Sequence, residues 1–208
     1  LMELGRVPMA LVSRQSLNAQ NSQDLVRLAK DRPGSLSYGT WGVGSTAHLA
    51  FLLLEQQTGL DLNHLPYNGA PPVYTALLGG HVDFAVTQLP WALNNAREGK
   101  VRILGITNAT RSSLAPSVPT MAEVGFRDYV VELWMGLYAP KGTPAEIREP
   151  LTREIAIWLE TPEARALLQA AGAEPQAGTG AQLRARQQSE TAFWQRIIKA
   201  RKSSLDGK

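Results

Sequence analysis

The sequence predicts an α/β protein, and three observations support this class. The 208 residues, 44% of them hydrophobic, are enough to bury a substantial core. Short apolar runs typical of strands alternate with stretches that have helical spacing, which disfavours a helix bundle or a β-sandwich. No internal repeat is evident in the sequence. One or two domains are therefore expected.

The first half of the chain alternates regularly between predicted strands and helices. Asn21 or Ser22 is expected to cap the first helix, and Gly59 to end the second. Because a helix joins each pair of strands, we expect parallel strands with right-handed crossovers and a ligand site beyond their carboxyl ends. Strands are predicted at 7–13, 35–39, 60–67, 81–89 and 101–108, and helices at 21–34, 45–58, 69–80 and 90–100.

The composition changes after residue 108. Residues 109–126 indicate a connecting loop with a short helix near 120–123. Since three helices and a single strand cannot close a core, the last part of the chain is expected either to pack on the first part or to lack a partner sheet. The predicted strand lies at 129–140 and the predicted helices at 143–162, 162–172 and 180–204.

Composition excludes several classes of function. The formal charge of +3 is small and the basic residues are scattered, except in the final segment RIIKARK, which disfavours a nucleic-acid surface. The absence of cysteine excludes disulfides and thiolate metal sites. The apolar runs are shorter than the ~20 residues of a membrane span. The first residues lack the pattern of a secretory signal and begin with Leu1, so a fragment or a processed product is expected.

The segment YGTWGVGSTAHL, residues 38–49, carries the most specific local pattern. Gly42, Gly44 and Ala47 satisfy G-x-G-x-x-[G/A], the dinucleotide fingerprint, in a strand-turn-helix context. The acidic residue that would bind the ribose is missing, because Asp61 lies at the beginning of the next strand and not at its end. The pattern therefore only weakly favours a dinucleotide.

Two other interpretations of the same segment stay open. Free N–H groups at the helix start, with the hydroxyls of Ser45 and Thr46, could bind a carboxylate. The segment contains no Lys or Arg, which favours a carboxylate or another polar ligand over a triphosphate. Alternatively, the glycines make a plain turn and Ser45 or Thr46 is only the N-cap.

Most other candidate residues are expected to be structural. His48 is more typical of packing or capping than of ligand binding, and His64 and His81 lack the spacing of zinc ligands. Structural pairing is the expectation for Asp83 and Glu132. A serine hydrolase is disfavoured because GVGSTA does not match G-x-S-x-G.

Two aromatic residues near the predicted strand ends leave a choice open. Tyr67 could present its ring face and hydroxyl to a bound acid, or it could plug the core beneath the turn. Trp41 could stack over a ligand or shield the cleft from solvent.

Five segments, in order and with matching spacing from about residue 7 to 200, resemble one family. They are LSYGTWGVGSTAHLA, LPYNGAPPVYTALLGGHVDFAV, KVRILGITNATRSSLAPSVPTMAEVGF, WMGLYAPKGTP and AGAEP. The resemblance is to the Bug or TctC family of extracytoplasmic solute receptors, the substrate-binding proteins of tripartite tricarboxylate transporters.

The resemblance implies a fold like that of the type II periplasmic binding proteins, with two lobes that close around a small carboxylate. Residues 8–125 would be one nearly complete parallel-sheet lobe, the second lobe of the family. Residues 129–208 would be the helix-rich, returning C-terminal part of a first lobe whose N-terminal portion is absent. No enzymatic activity, cofactor, metal or nucleic acid is implied, and the expected partner is a transporter in the membrane, with the receptor in the periplasm.

The resemblance also implies a set of ligand-binding residues on three loops. Many relatives carry an acidic residue at the position of Thr87, so the ligand or its water network is expected to differ here. A ligand-sensing domain of a transcription regulator with the same type of fold remains an alternative function. The implied binding residues are Thr40, Trp41, Gly42, Gly44, Ser45, Thr46, Tyr67, Asn68, Gly69, Thr87 and Gln88.

Overall fold

A computed structural model describes residues 1–200 and contains eight strands and seven helices in that range. The chain divides into two compact units, Leu1–Pro8 with Leu133–Trp194, and Met9–Glu132 with the described residues from Gln195 onward. No helix within residues 1–200 combines the length and the apolar character that a membrane span requires. The elements are β1 Met2–Val7, β2 Met9–Arg14, α1 Ser22–Asp31, β3 Ser37–Thr40, α2 Thr46–Thr58, β4 Asn63–Pro66, α3 Ala70–Leu78, β5 Phe84–Gln88, α4 Leu89–Arg97, β6 Val101–Ile106, β7 Leu133–Leu137, α5 Ala145–Leu159, α6 Pro162–Ala170, β8 Glu174–Thr179 and α7 Gly180–Ala200.

The unit that contains Met9–Glu132 is built on a five-stranded sheet of order β4-β3-β5-β2-β6. Its helices begin and end largely as the sequence predicts. Asn21 caps α1 by accepting a hydrogen bond from the Asp24 N–H, and Gly59 ends α2 in the left-handed conformation at φ 70°. One hydrophobic cluster of this unit involves the sheet and helices α3 and α4, where Val73 and Leu77 are buried, and α1 and α2 also bury apolar side chains such as Leu25 and Phe51.

The sheet is mixed. The expectation that all its strands are parallel is wrong for one strand, β2. Strands β3, β4 and β5 are parallel, whereas β2 pairs antiparallel with both β5 and β6. Arg14 at the end of β2 and Ser37 at the start of β3 both donate to the carboxylate of Asp83. The two strands therefore meet at the same edge of the sheet. Alternation of strands and helices in a sequence does not specify this direction.

The other unit has a sheet of its own, so the expectation that the C-terminal part lacks one is wrong. Strand β1 lies between β7 and β8 and is antiparallel to both. β1 has the sequence MELGRV and β8 the sequence EPQAGT, and their charged residues, Gly and Pro hide the apolar alternation that predicts strands. Pro8 separates β1 from β2, so the strand predicted at 7–13 begins in one sheet and continues in another.

Two smaller expectations also change. Residues 121–125 form turns instead of a short helix, because Thr120 makes a parallel bridge with Ile106 and Met121 donates to the carbonyl of Ile106. The long C-terminal helix is confirmed as α7. Its predicted extension to residue 204, and the end of the basic segment RIIKARK, lie outside the described residues.

Candidate functional site

All five strands of the five-stranded sheet have one end at the same edge, which we call the carboxyl edge. Thr40 of β3 pairs with Pro66 of β4, and Gly39 of β3 pairs with Ala85 of β5, so the loops after these strands begin side by side. Met9 pairs with Gln88, which places the start of β2 at the same edge. All eleven residues of the predicted binding set are brought together there: Thr40, Trp41, Gly42, Gly44, Ser45, Thr46, Tyr67, Asn68, Gly69, Thr87 and Gln88.

The turn between β3 and α2, residues 41–45, is here called the glycine loop. Gly42 has φ 125° and Gly44 has φ 78°, a region that side chains with a Cβ rarely adopt. The Ser45 N–H donates to the carbonyl of Gly42 at 3.2 Å, and the Gly44 N–H donates to His48 Nδ1 at 3.0 Å. The protein itself therefore uses the amides of Gly44 and Ser45, and the carboxylate interpretation depends on the other N–H groups at the helix start.

Other donors at the start of α2 remain available. Ser45 is the N-cap, and its Oγ accepts from the His48 N–H at 3.3 Å. No described residue accepts from the N–H groups of Val43, Thr46 or Ala47. The first amides of a helix carry partial positive charge from the aligned peptide dipoles. This combination attracts a negatively charged oxygen without an ion pair.

Thr40 contacts the glycine loop through its side-chain hydroxyl. Its side chain is fully buried, and its hydroxyl is hydrogen-bonded to His64 Nε2 at 2.6 Å. The Gly42 N–H also donates to the Thr40 hydroxyl, at 3.4 Å. The position therefore holds β3, β4 and the glycine loop together, and its hydroxyl is occupied by protein groups.

His48 and His64 form a stacked pair beneath the loop. Their ring centroids are 4.0 Å apart and their planes differ by 10°, and the ring of Tyr38 also stacks with His64, at 4.9 Å. Burial and the neighbouring His48 lower the pKa of His64 to about 4. Burial also lowers the pKa of His48. Both shifts favour the neutral rings at pH 7, and the stacking and hydrogen bond of His48 agree with the packing and capping interpretation of this residue.

Buried polar atoms without a hydrogen-bond partner in the described part of the chain include two at the carboxyl edge that the resemblance places in the binding set. Thr87 is fully buried, and neither its Oγ1 nor the indole Nε1 of Trp41 has a hydrogen-bond partner among the described residues. An unpaired buried polar group costs about 1–3 kcal/mol, so such groups are few in folded proteins. In the register of the sheet, Trp41 follows β3 at the level of Thr87 in β5.

Tyr67 and its neighbours form the loop after β4. The Tyr67 N–H donates to the carbonyl of Thr40 at 2.9 Å, and its half-buried ring packs on the core beside Gly39. This packing favours the plug interpretation of the ring. Asn68 is exposed, and Gly69 at φ 98° precedes α3.

Several residues at this edge were missed by sequence analysis. Asn108 follows β6, and its Oδ1 accepts from the Met9 N–H at 2.9 Å, fixing the start of β2. Tyr74 of α3 stacks on Trp91 of α4 with centroids 4.2 Å apart. Burial raises the pKa of Tyr74, and a hydrogen bond with the Gln88 backbone opposes this shift. Asn108 could have been found, since it follows a strand that ends at the same edge. Tyr74 lies on a helix and gives no such signal.

The remaining candidates, Asp83 and Glu132, make hydrogen bonds within the protein. Asp83 accepts hydrogen bonds from Arg14 and Ser37, as expected for structural pairing, and Glu132 accepts from the Ala109 N–H. Among residues 1–200, no group of three or more His, Asp or Glu side chains could hold a metal ion.

Comparisons of the sequence match it to one family. The profile described as "Tripartite tricarboxylate transporter family receptor" matches residues 1–203. Protein BugT of Bordetella pertussis is 34% identical over 196 residues, which cover 94% of this chain and 60% of that protein. A protein encoded in the tcbD-tcbE intergenic region of Pseudomonas sp. strain P51 is 33% identical over 193 residues, covering 92% of this chain and 57% of that protein. The chain thus spans less than two thirds of the length of these relatives.

Solved structures of similar proteins have the same fold. R. palustris Rpa4515 with adipate is 33% identical with a TM-score of 0.83, covering 95% of this chain and 66% of that one. MatC from Rhodopseudomonas palustris with bound malate is 28% identical with a TM-score of 0.80, covering 95% and 68% of the two chains. The periplasmic binding protein BugD is 27% identical with a TM-score of 0.82, covering 98% and 68%. The fold is that of the periplasmic solute-binding proteins.

Proposed function

Because the chain belongs to the tripartite tricarboxylate transporter receptor family, we propose that it captures a small carboxylate and delivers it to a membrane transporter of that type. The protein acts in the periplasm and catalyses no reaction. Residues 8–125 form the second lobe of the family, and residues 129–208 belong to the first. Two structural relatives that hold adipate and malate support a dicarboxylate as the ligand.

The observation that carries this proposal is the set of unused donors at the carboxyl edge. The amides of Val43, Thr46 and Ala47 at the start of α2 have no described acceptor. The Oγ1 of Thr87 and the Nε1 of Trp41 are buried without a described partner. Donors without cations suit a carboxylate that is held by dipoles and hydroxyls.

Within the proposed set, the residues divide by role. Thr46, Thr87 and Trp41 contact the ligand, and Gln88 lines the site at the start of α4. Thr40, Gly42, Gly44, Ser45, Tyr67, Asn68 and Gly69 shape the loops, since their side chains or backbones bond to neighbouring protein groups or supply a turn.

Thermal shift followed by calorimetry tests the proposal, using malate, adipate, citrate and benzoate with the full 208-residue chain. We expect at least one acid to raise the melting temperature, and its methyl ester to have no effect because the ester lacks the charge. NAD serves as the control for a dinucleotide enzyme. Stabilisation by NAD together with no response to any acid would overturn the proposal.

A matched pair of variants locates the ligand. Thr46→Val removes a hydroxyl at the first position of α2 while keeping the shape of the side chain. We expect it to weaken binding of the acid by about 1–3 kcal/mol, the value of a hydrogen bond to a charged group. Thr75→Val is the control, because the Thr75 hydroxyl donates to the carbonyl of Pro71 within α3, away from the proposed contacts. Equal affinities in both variants would remove Thr46 from the site.

A further inference from the structure

His48 connects the glycine loop to the two strands below it. The Gly44 N–H donates to His48 Nδ1 at 3.0 Å, and the ring of His48 stacks on that of His64 at 4.0 Å. His64 in turn is hydrogen-bonded to the hydroxyl of Thr40. The order Gly44, His48, His64, Thr40 therefore links the loop, α2, β4 and β3 through side chains.

The loop itself has few other constraints. A Cβ added at Gly44 would meet no atom within 4 Å, so packing does not fix this residue. The Ser45 N–H to Gly42 carbonyl bond closes only the turn itself. Among the described hydrogen bonds of the loop, the one to His48 Nδ1 is the bond that the Gly44 N–H makes, whereas the others involve Gly42 and Ser45.

That acceptor exists only when the imidazole of His48 is neutral. Because Nδ1 accepts from Gly44, the neutral ring carries its proton on Nε2, which is buried and has no partner in the described part of the chain. A second proton would turn Nδ1 into a donor that faces the Gly44 N–H. The titratable groups that face His48 are His64 from β4 and Tyr38 from β3, and neither is a carboxylate that would compensate a positive charge.

We propose that His48 is a positioning residue, which holds the glycine loop in its ligand-binding conformation through the Gly44 N–H and releases it on protonation. The inference deepens the proposed function and rests on it for its effect on affinity. The bond consumes the Gly44 donor and leaves the amides of Val43, Thr46 and Ala47 for the ligand. Burial lowers the pKa of His48, which favours the neutral ring and hence the hydrogen bond from the Gly44 N–H at neutral pH.

The direct test is hydrogen exchange of the Gly44 amide, measured by NMR on the full chain. His48→Asn keeps an acceptor near the position of Nδ1 and cannot be protonated, whereas His48→Leu removes the acceptor. We expect His48→Leu to speed exchange at Gly44 by about five- to tenfold, the value of one hydrogen bond, and His48→Asn to restore slow exchange. His81→Asn, at an exposed histidine, is the control. Equal exchange at Gly44 in the wild type and His48→Leu would overturn the inference.

Two further measurements do not depend on whether His48→Leu folds. The ¹⁵N shifts of His48 in the wild-type chain should show an unprotonated Nδ1 at pH 7, and a protonated Nδ1 at neutral pH would contradict the inference. Binding of malate and adipate should weaken more steeply with falling pH in the wild type than in His48→Asn, where only the ligand and the other groups of the protein titrate. If none of malate, adipate, citrate and benzoate binds, the proposed function fails, while the exchange data still decide the role of His48.

Discussion

The carboxylate of Asp83 accepts a hydrogen bond from Arg14 Nε at 2.8 Å and thereby joins the end of β2 to the turn before β5. Its second oxygen accepts from the N–H and the hydroxyl of Ser37, at 2.8 and 3.1 Å. One side chain thus holds three strands at the edge opposite to the candidate site. Asp83 therefore stabilises the antiparallel pairing of β2 with β5. This pairing in turn places the start of β2 at the carboxyl edge.

We expect Asp83→Ala to lower the free energy of unfolding by about 2–4 kcal/mol, because it leaves Arg14 and the Ser37 N–H without their acceptor. Urea denaturation at pH 7 measures the change. Glu98→Ala is the matched control, since Glu98 pairs with Lys100 on the surface, where a salt bridge contributes about 0–1 kcal/mol. Equal losses in the two variants would contradict a structural role for Asp83.

The glycine loop gives a prediction that separates stability from binding. Gly44 and Gly80 have similar φ, 78° and 75°, and a Cβ at either would meet no atom within 4 Å. Gly44→Ala and Gly80→Ala should therefore each cost about 1–2 kcal/mol of stability from backbone strain alone. Gly80 precedes β5 at the opposite edge, so only Gly44→Ala should weaken binding of the acid in calorimetry. A similar loss of affinity in both variants would argue against a binding role of the loop.

The sequence was sufficient for the parts of the fold that local chemistry determines. Ser45 caps α2 and Gly59 ends it because each residue type satisfies a local backbone requirement that can be recognised in the sequence. The direction of β2 depends on Arg14 and Asp83, which are 69 residues apart, and no local pattern reports such a contact. Strand β8 contains Pro175 and gains its partner only from β1, so tertiary pairing overrides its weak propensity.

In the candidate site, too, some features could be predicted from the sequence and others depend on long-range contacts. The resemblance to the family supplied the predicted binding residues, and the parallel pairing of β3 with β4 and β5 explains why the loops that carry them meet at one edge. The hydrogen bond from Gly44 to His48 and the stacking of His48 on His64 could not be predicted. These contacts join separate elements, and the spacing of the two histidines carries no sign of them.

The stacked histidines predict that acid destabilises the protein. The pKa of His64 is about 4 in the folded state against an ordinary value of 6.5, so between these values the unfolded chain binds a proton that the folded chain does not. The free energy of unfolding should therefore fall as the pH drops from 6.5 towards 4, and stay level above 6.5 as far as this residue contributes. Urea titrations at pH 7, 6 and 5 measure the slope.

His64→Phe separates this effect from other acid transitions. It should reduce the slope by at most about 1.4 kcal/mol per pH unit, the full contribution of one titrating group. His81→Gln changes an exposed histidine and should leave the slope unchanged. A slope in His64→Phe equal to that of the wild type would show that His64 does not titrate in this way.

The unpaired hydroxyl of Thr87 predicts that its removal weakens binding of the acid without lowering the stability of the protein. Thr87→Val keeps the shape of the side chain and removes a buried polar atom that has no described partner, so the free energy of unfolding should stay constant or rise by about 1–2 kcal/mol. Ser13→Ala is the matched control, since Ser13 Oγ is also buried without a described partner but lies near the end of β2, at the opposite edge. Both variants should be at least as stable as the wild type in urea, and only Thr87→Val should bind the acid less tightly. Loss of stability in Thr87→Val would instead mean that a water or another group of the folded protein satisfies its hydroxyl, and the atom would no longer be available to a ligand.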